Sequence, residues 1–152
     1  MRAFHFKLGA LLKLKENHRE QALLKLVSSI KQVTQSKEQY QKTLDNYHRI
    51  LQLIETQQQA KFSMYEIKSL QDSLENEKQF LVKSEQKLNH HKGIHQSRQK
   101  IFQKKDSEFK ALLRLKDRQK ELHFEEETLK EQKELEDIIA ARFSFHSQNS
   151  SY

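Results

Sequence analysis

Residues 26–54 read LVSSIKQVTQSKEQYQKTLDNYHRILQLI, and a single register runs through all of them. Leu26, Ile30, Val33, Lys37, Tyr40, Leu44, Tyr47, Leu51 and Ile54 alternate steps of four and three, and eight of these nine are apolar, Lys37 being the exception. An apolar period of 3.5 residues sustained over this length makes a seam narrow enough for one partner helix, which is the pattern of a coiled coil. The expected object is a rod that acts by touching other proteins rather than by enclosing a substrate.

Composition agrees with long helices. The chain has 152 residues, enough for one globular domain, but only 35% are apolar and 32% are charged. Globular domains run to about 45–50% apolar, so this chain can bury a thin stripe and no sizeable core. Gly9 and Gly93 are the only glycines and proline is absent, which removes the turn chemistry that sheets and many-helix folds need. The absence of cysteine excludes disulfides, thiolate metal sites and cysteine nucleophiles. The opening MRAFHFKLGALLKLKE is broken by Lys7, Lys13 and Lys15, so it holds no continuous apolar core of a leader, and no segment approaches the ~20 apolar residues of a membrane span. These features imply a soluble, unprocessed protein. Charge is uneven along the chain. Residues 83–124 carry 12 Lys and Arg against 5 Asp and Glu, whereas residues 125–152 carry 3 against 7. The basic segment and the acidic end are therefore distinct.

The pattern predicts one α-hairpin over residues 1–143. Its first helix spans about 4–55, the turn about 56–62 and the second helix about 63–142, with 144–152 as a loose tail lacking periodicity. Phe4, Leu8, Leu11 and Leu12 open an apolar face that Ala22, Leu23 and Leu26 continue. The wholly polar stretch at 55–61, apart from Ala60, breaks the register before Phe62, Met64, Tyr65 and Ile67 restart it. Asn89-His90-His91-Lys92-Gly93 is the competing turn, with a glycine and helix-ending residue types. Periodicity favours the earlier one. Ile67, Leu70, Leu74, Glu77, Leu81, Ser84, Leu88, His91, His95, Arg98, Phe102, Lys105, Phe109 and Leu112 keep the heptad straight through Gly93. Two helices joined by a short loop run antiparallel, and a fold-back near residue 59 sets Phe4 opposite a position near 114. Residues 115–142 then project with no intramolecular partner, yet keep Leu115, Leu122, Leu129, Leu135, Ile138, Ile139 and Phe143. An unpartnered amphipathic helix of this kind reads as a partner-binding surface or a locally disordered segment.

Chemical sites are few. His91 and His95 stand one turn apart, a spacing that suits two metal ligands, but no acidic residue lies close by to complete a set. No glycine-rich phosphate loop occurs, and a two-helix rod has no enclosed pocket to shift a pKa or exclude water. The expectation is a protein without enzymatic activity, cofactor or metal. Lys and Arg at 98, 100, 104, 105, 110, 114, 116, 118 and 120 could meet nucleic acid or anionic lipid. They are spread around the helix and interrupted by Asp106, Glu108 and Asp117, which favours a solvated surface. Tyr40 and Tyr47 lie one heptad apart on the seam. Each has a hydroxyl that needs a partner when buried, so packing and a half-exposed contact for another protein are both open.

The two ends of the chain carry a resemblance. The opening Phe4-His-Phe6-Lys-Leu8-Gly-Ala-Leu11-Leu12 and the segment from Lys130 to Phe143, KEQKELEDIIAARF, resemble the flagellar FliJ family, whose members begin with a Phe-x-Phe-x-Leu-x-x-Leu-Leu stretch and close with a Glu-Gln-Lys-x-Leu-Asp-Glu-Ile-Ala-like segment. Glu136-Asp137 here replaces the Asp-Glu order. The resemblance implies an all-α fold, a long antiparallel two-helix coiled coil similar to the central stalk (gamma subunit) of rotary ATPases. It implies a stalk of the bacterial flagellar type III export apparatus that inserts into the hexameric export ATPase and links it to the FlhA-type export gate, with a role in recycling export chaperones. Contact with the membrane would be indirect, through the gate, at the cytoplasmic base of the flagellum. By the same likeness, Tyr40, Leu44, Tyr47 and Leu51 with Leu70, Leu74 and Leu81 would meet the gate. Phe4, Leu8, Leu11, Leu129, Leu135, Ile138 and Ile139 would enter the ATPase ring. A virulence type III secretion stalk shares this architecture, and the phenylalanine-rich opening favours the flagellar version. A basic coiled coil binding nucleic acid or a membrane surface is the alternative from another class.

Overall fold

The computed structural model describes residues 1–59 and 63–150. Among them the only regular elements are two helices, α1 (Gly9–Gln59) and α2 (Met64–Asn149), so the protein is an all-α antiparallel helical hairpin. α1 continues through Gln59, past the expected start of the turn at 56, and residues 60–62 of that expected turn lie outside the described residues. α2 begins on Ser63, whose hydroxyl accepts the Glu66 N–H at 3.4 Å and whose carbonyl accepts the Glu66 and Ile67 N–H groups. Serine followed three residues later by glutamate is the sequence signature of such an N-terminus. α2 then runs unbroken through Gly93, which has ordinary helical backbone and rules out a turn at 89–93. It also continues to Asn149, so residues 144–149 are helical where a loose tail was expected.

The chain forms two compact units: Met1–His18 with Asp106–Tyr152, and Arg19–Lys105. In the second, Ser29 Oγ meets His95 Nδ1 at 3.4 Å and Arg98 donates to the Lys25 carbonyl at 2.8 Å, which fixes the antiparallel pairing. Every expected seam position on α2 from Ile67 to Lys105 is buried or half-buried. The seam on α1 differs from the expected one. Ile30 is 47% exposed and Lys37 is exposed, while Ser29 and Ser36 are 1% and 5% exposed. The packed positions are Ala22, Leu26, Ser29, Val33, Ser36 and Tyr40, one residue off at every second layer. The reason lies in the facing helix. His91 and His95 put imidazole rings into the seam, and a hydroxymethyl group leaves them room that a branched side chain would fill. Nearer Gln59 the seam widens, and Thr43, Leu44, Asn46, Tyr47, Ile50, Leu51 and Ile54 are all half-buried.

In the first unit the chain does not begin as a helix. Residues 1–6 are without regular structure, and Gly9 opens α1 after a turn in which its N–H bonds the Phe6 carbonyl. Non-helical chain advances further per residue than the 1.5 Å of a helix, so these few residues reach far along α2. Lys15 pairs with Glu108 at 3.1 Å, whereas Phe4 packs on His123 rather than near 114. His123, Glu127 and Glu131 are consequently partnered by this segment, correcting the expectation that everything past 115 stands alone.

Candidate functional site

Two sets of side chains were singled out by sequence, one in each unit. In the unit Arg19–Lys105, Tyr40, Leu44, Tyr47, Leu51, Leu70, Leu74 and Leu81 are all half-buried on the seam. Heptad spacing turns both tyrosines to the same face, where each packs along part of its ring and leaves part open. The Tyr47 ring stands edge-on to His48, with centroids 5.8 Å apart. Aromatic rings held this way offer rigid contact area at little further entropic cost. Met64 and Tyr65, at the start of α2, are more than four-fifths exposed.

The other unit is organised by residues 1–8, which lie as a strap along α2. Phe6 is 7% exposed and anchors the strap, while Phe4 is half-buried with its ring 5.7 Å from that of His123. His123 Nε2 lies 2.9 Å from the Arg2 carbonyl. A carbonyl only accepts, so Nε2 must carry the proton. One helical turn further on, Glu127 Oε2 accepts the Arg2 N–H at 3.3 Å. That backbone hydrogen bond holds the Glu127 carboxyl below its ordinary value, with Lys130, His123 and the terminal amine adding to the effect and burial opposing it. Lys130 Nζ lies 3.6 Å from Glu127 Oε1, and the Met1 amine lies 3.1 Å from Glu131.

Of the residues expected to enter an ATPase ring, Phe4 is therefore occupied in the strap, and Leu8 and Leu11 are about two-fifths exposed. Leu129, Leu135, Ile138 and Ile139 are all more than half exposed, as are Phe143 and Phe145. Every described residue from 128 onward is exposed. Leu135, Ile138, Ile139 and Phe143 follow helical spacing and form one stripe, whereas Leu129 lies about a third of a turn away from it. The strap was not anticipated, although Phe4-x-Phe6-x-Leu8 repeats every second residue, which is the period of extended chain and not of a helix. Among the described residues no group of three or more His, Cys, Asp or Glu is placed to hold a metal ion, and no helix is long and apolar enough to cross a membrane.

Comparison with known proteins identifies a family for the chain as a whole. The family model described as flagellar FliJ protein matches residues 4–149, almost the whole chain. No match was found among curated proteins or among solved structures.

Proposed function

We propose, from the premise that the chain belongs to the flagellar FliJ family and is a component of the flagellar type III export apparatus, that it is the stalk joining the export ATPase hexamer to the FlhA-type export gate. The stripe of Leu135, Ile138, Ile139 and Phe143 carries this reading. It is exposed along a continuous helix, and a helix with an apolar face in water is completed by a partner's groove. Together with Leu8, Leu11 and Leu129, it is the surface assigned to the ATPase ring. Tyr40, Leu44, Tyr47 and Leu51 of α1, with Leu70, Leu74 and Leu81 of α2, are assigned to the gate, because half-buried aromatic and leucine edges can pack within the hairpin and against a second protein. Binding of export chaperones, and their return for another cycle, belongs to the same assignment. The protein works at the cytoplasmic face of the membrane through the gate.

Co-purification with the export ATPase of the same organism tests the reading. The full chain should be retained with the hexamer and raise its turnover or assembly, and a chain ending before Leu129 should lose this while keeping its helical spectrum. Tyr40→Ala with Tyr47→Ala should impair gate binding at nearly unchanged helix content. Failure of the full chain to bind the ATPase overturns the stalk assignment. Collapse of helix content in the tyrosine variant assigns those rings to packing alone.

A further inference from the structure

The strap and α2 frame a groove that combines cations with aromatic walls. It has a volume of about 530 Å³ and is lined by Arg2 and Phe4 of the strap and by Lys116, Lys120 and Phe124 of α2. The three α2 residues follow at steps of four, so they stand on one side of the helix in successive turns. The strap wall is set by its main chain, with the Arg2 N–H held by Glu127 and the Arg2 carbonyl by His123. The side chains of Arg2, Lys116 and Lys120 form no ion pair among the described residues. Glu127 and Glu131 do not neutralise them, being engaged by the Arg2 N–H with Lys130 and by the Met1 amine. Phe4 is half-buried and Phe124 is 38% exposed, so both rings leave apolar surface open.

A ligand complementary to this lining carries carboxylates on either side of an apolar group. It must also be narrow. Asp117 and Glu121 flank the lysines, and residues 125–137, just beyond Phe124, carry seven acidic side chains against two lysines. A broad anionic surface, whether a membrane or a nucleic-acid backbone, meets that acidic surround as soon as it meets the cations, and is repelled. One extended peptide touches the groove alone. We propose that the groove between the strap and α2 binds a short acidic segment of a partner protein, its carboxylates paired with Arg2, Lys116 and Lys120 and an apolar side chain seated between Phe4 and Phe124. Because the strap is one wall, the site exists only while the strap is docked. The proposal does not rest on the stalk assignment.

Fluorescence anisotropy on the full chain tests it, with the labelled peptide acetyl-Glu-Asp-Leu-Phe-Asp-Glu as the probe. Binding should saturate below about 1 mM protein and weaken as salt is raised. The same peptide with glutamine and asparagine for its acids should bind about fivefold more weakly or worse, and one with two glycines for Leu-Phe should also bind more weakly. Lys116→Gln with Lys120→Gln should cost about fivefold in affinity for the acidic probe. Neither lysine makes an ion pair, so helix content should not change. Phe124→Ala should weaken the Leu-Phe peptide and leave the glycine peptide unaffected. Phe6→Ala should lose the probe with both lysines still in place, because the strap wall is gone. Absence of saturable binding up to about 1 mM overturns the proposal, and binding of phosphatidylglycerol vesicles in its place would assign the cations to a lipid surface. Wild-type affinity in the lysine variant overturns it by placing the peptide elsewhere. So does wild-type affinity in a Phe6→Ala chain whose strap trypsin finds open, since α2 alone would then be the site. No ATPase is present in these measurements, so their failure leaves the stalk assignment standing.

Discussion

Replacing Ser29 by leucine and Ile30 by alanine, separately, discriminates between the two possible seams on α1. Ser29 is 1% exposed, its hydroxyl donating to the Leu26 carbonyl at 2.6 Å and lying 3.4 Å from His95 Nδ1. Leucine here must displace the His95 ring or part the helices. Overpacking costs about 1–3 kcal/mol, and the lost polar contact about 1 kcal/mol more, so the expected loss is roughly 2–4 kcal/mol. Ile30 is 47% exposed. Fully burying an isoleucine stabilises by about 1.5–3 kcal/mol, so a half-buried one loses about 1 kcal/mol on truncation. Alanine recovers a few tenths of that through its better helix propensity, leaving about 0.5 kcal/mol. At about 2–4 °C per kcal/mol for a chain of this size, Ser29→Leu should lower the melting midpoint by roughly 4–16 °C and Ile30→Ala by about 1–2 °C. Far-UV circular dichroism, followed through heat and urea, reads both. Were Ile30→Ala to cost more than about 2 kcal/mol while Ser29→Leu was tolerated, the seam would pass through Ile30 and the serine–histidine layers would not be packed.

Phe6→Ala removes the anchor of the strap, and a buried phenylalanine is worth about 3–5 kcal/mol. Trypsin should then cleave after Arg2 and Lys7 faster than in the wild type, with helix content unchanged; equal cleavage rates would show that the strap is held without Phe6. The Glu127 carboxyl sits below its ordinary 4.5 in the folded protein. The stability it lends is therefore fully present above that value and is lost as pH falls through the lower folded value. The Arg2 amide resonance should lose its folded shift only in that acid range, and Glu127→Gln should remove the acid step. Gly93 lies inside α2, and a Cβ built there meets nothing within 4 Å. Gly93→Ala should thus stabilise by about 0.5–1 kcal/mol in urea unfolding, and destabilisation would mean the site is tighter than it looks.

Much of the hairpin was legible because its signals are local. The α2 register could be read straight through Gly93, since an isolated glycine weakens a helix without ending it. The α1 seam could be followed through Leu26, Val33, Tyr40, Tyr47 and Ile54, which lie in both the expected and the observed sets. What could not be read from α1 alone was the choice between Ile30 and Ser29. Hydrophobicity favours isoleucine there, and the winner depends on the ring that α2 presents opposite. The same holds for the other candidate surface. Leu135, Ile138 and Ile139 were recognisable as an unpartnered face, but the occupation of Phe4 by His123 rests on three contacts spanning 119 to 125 residues of sequence.

The contacts of Ser29 with His95 and of Arg98 with the Lys25 carbonyl also bear on why so polar a chain pairs in one register. Leucine seams are strong but permissive, because a shift of one heptad replaces leucine with leucine. Between Ala22 and Tyr40 the apolar members of this seam are only Leu26 and Val33, and they alternate with Ser29 and Ser36. Sliding the helices by a heptad would carry His95 away from Ser29, toward Ser36 in one direction and Ala22 in the other, and in both would part Arg98 from the Lys25 carbonyl. A donor such as the Arg98 guanidinium, which meets the Lys25 carbonyl in this register, penalises a slipped one by losing that partner. The result is a thin core, in which Phe6, Ala22 and Leu88 are the buried apolar residues among the described ones. Such a hairpin holds its alignment through a few specific layers rather than through bulk burial. A slipped seam would part Ser29 from His95 and Arg98 from the Lys25 carbonyl, contacts that exist only in the register observed.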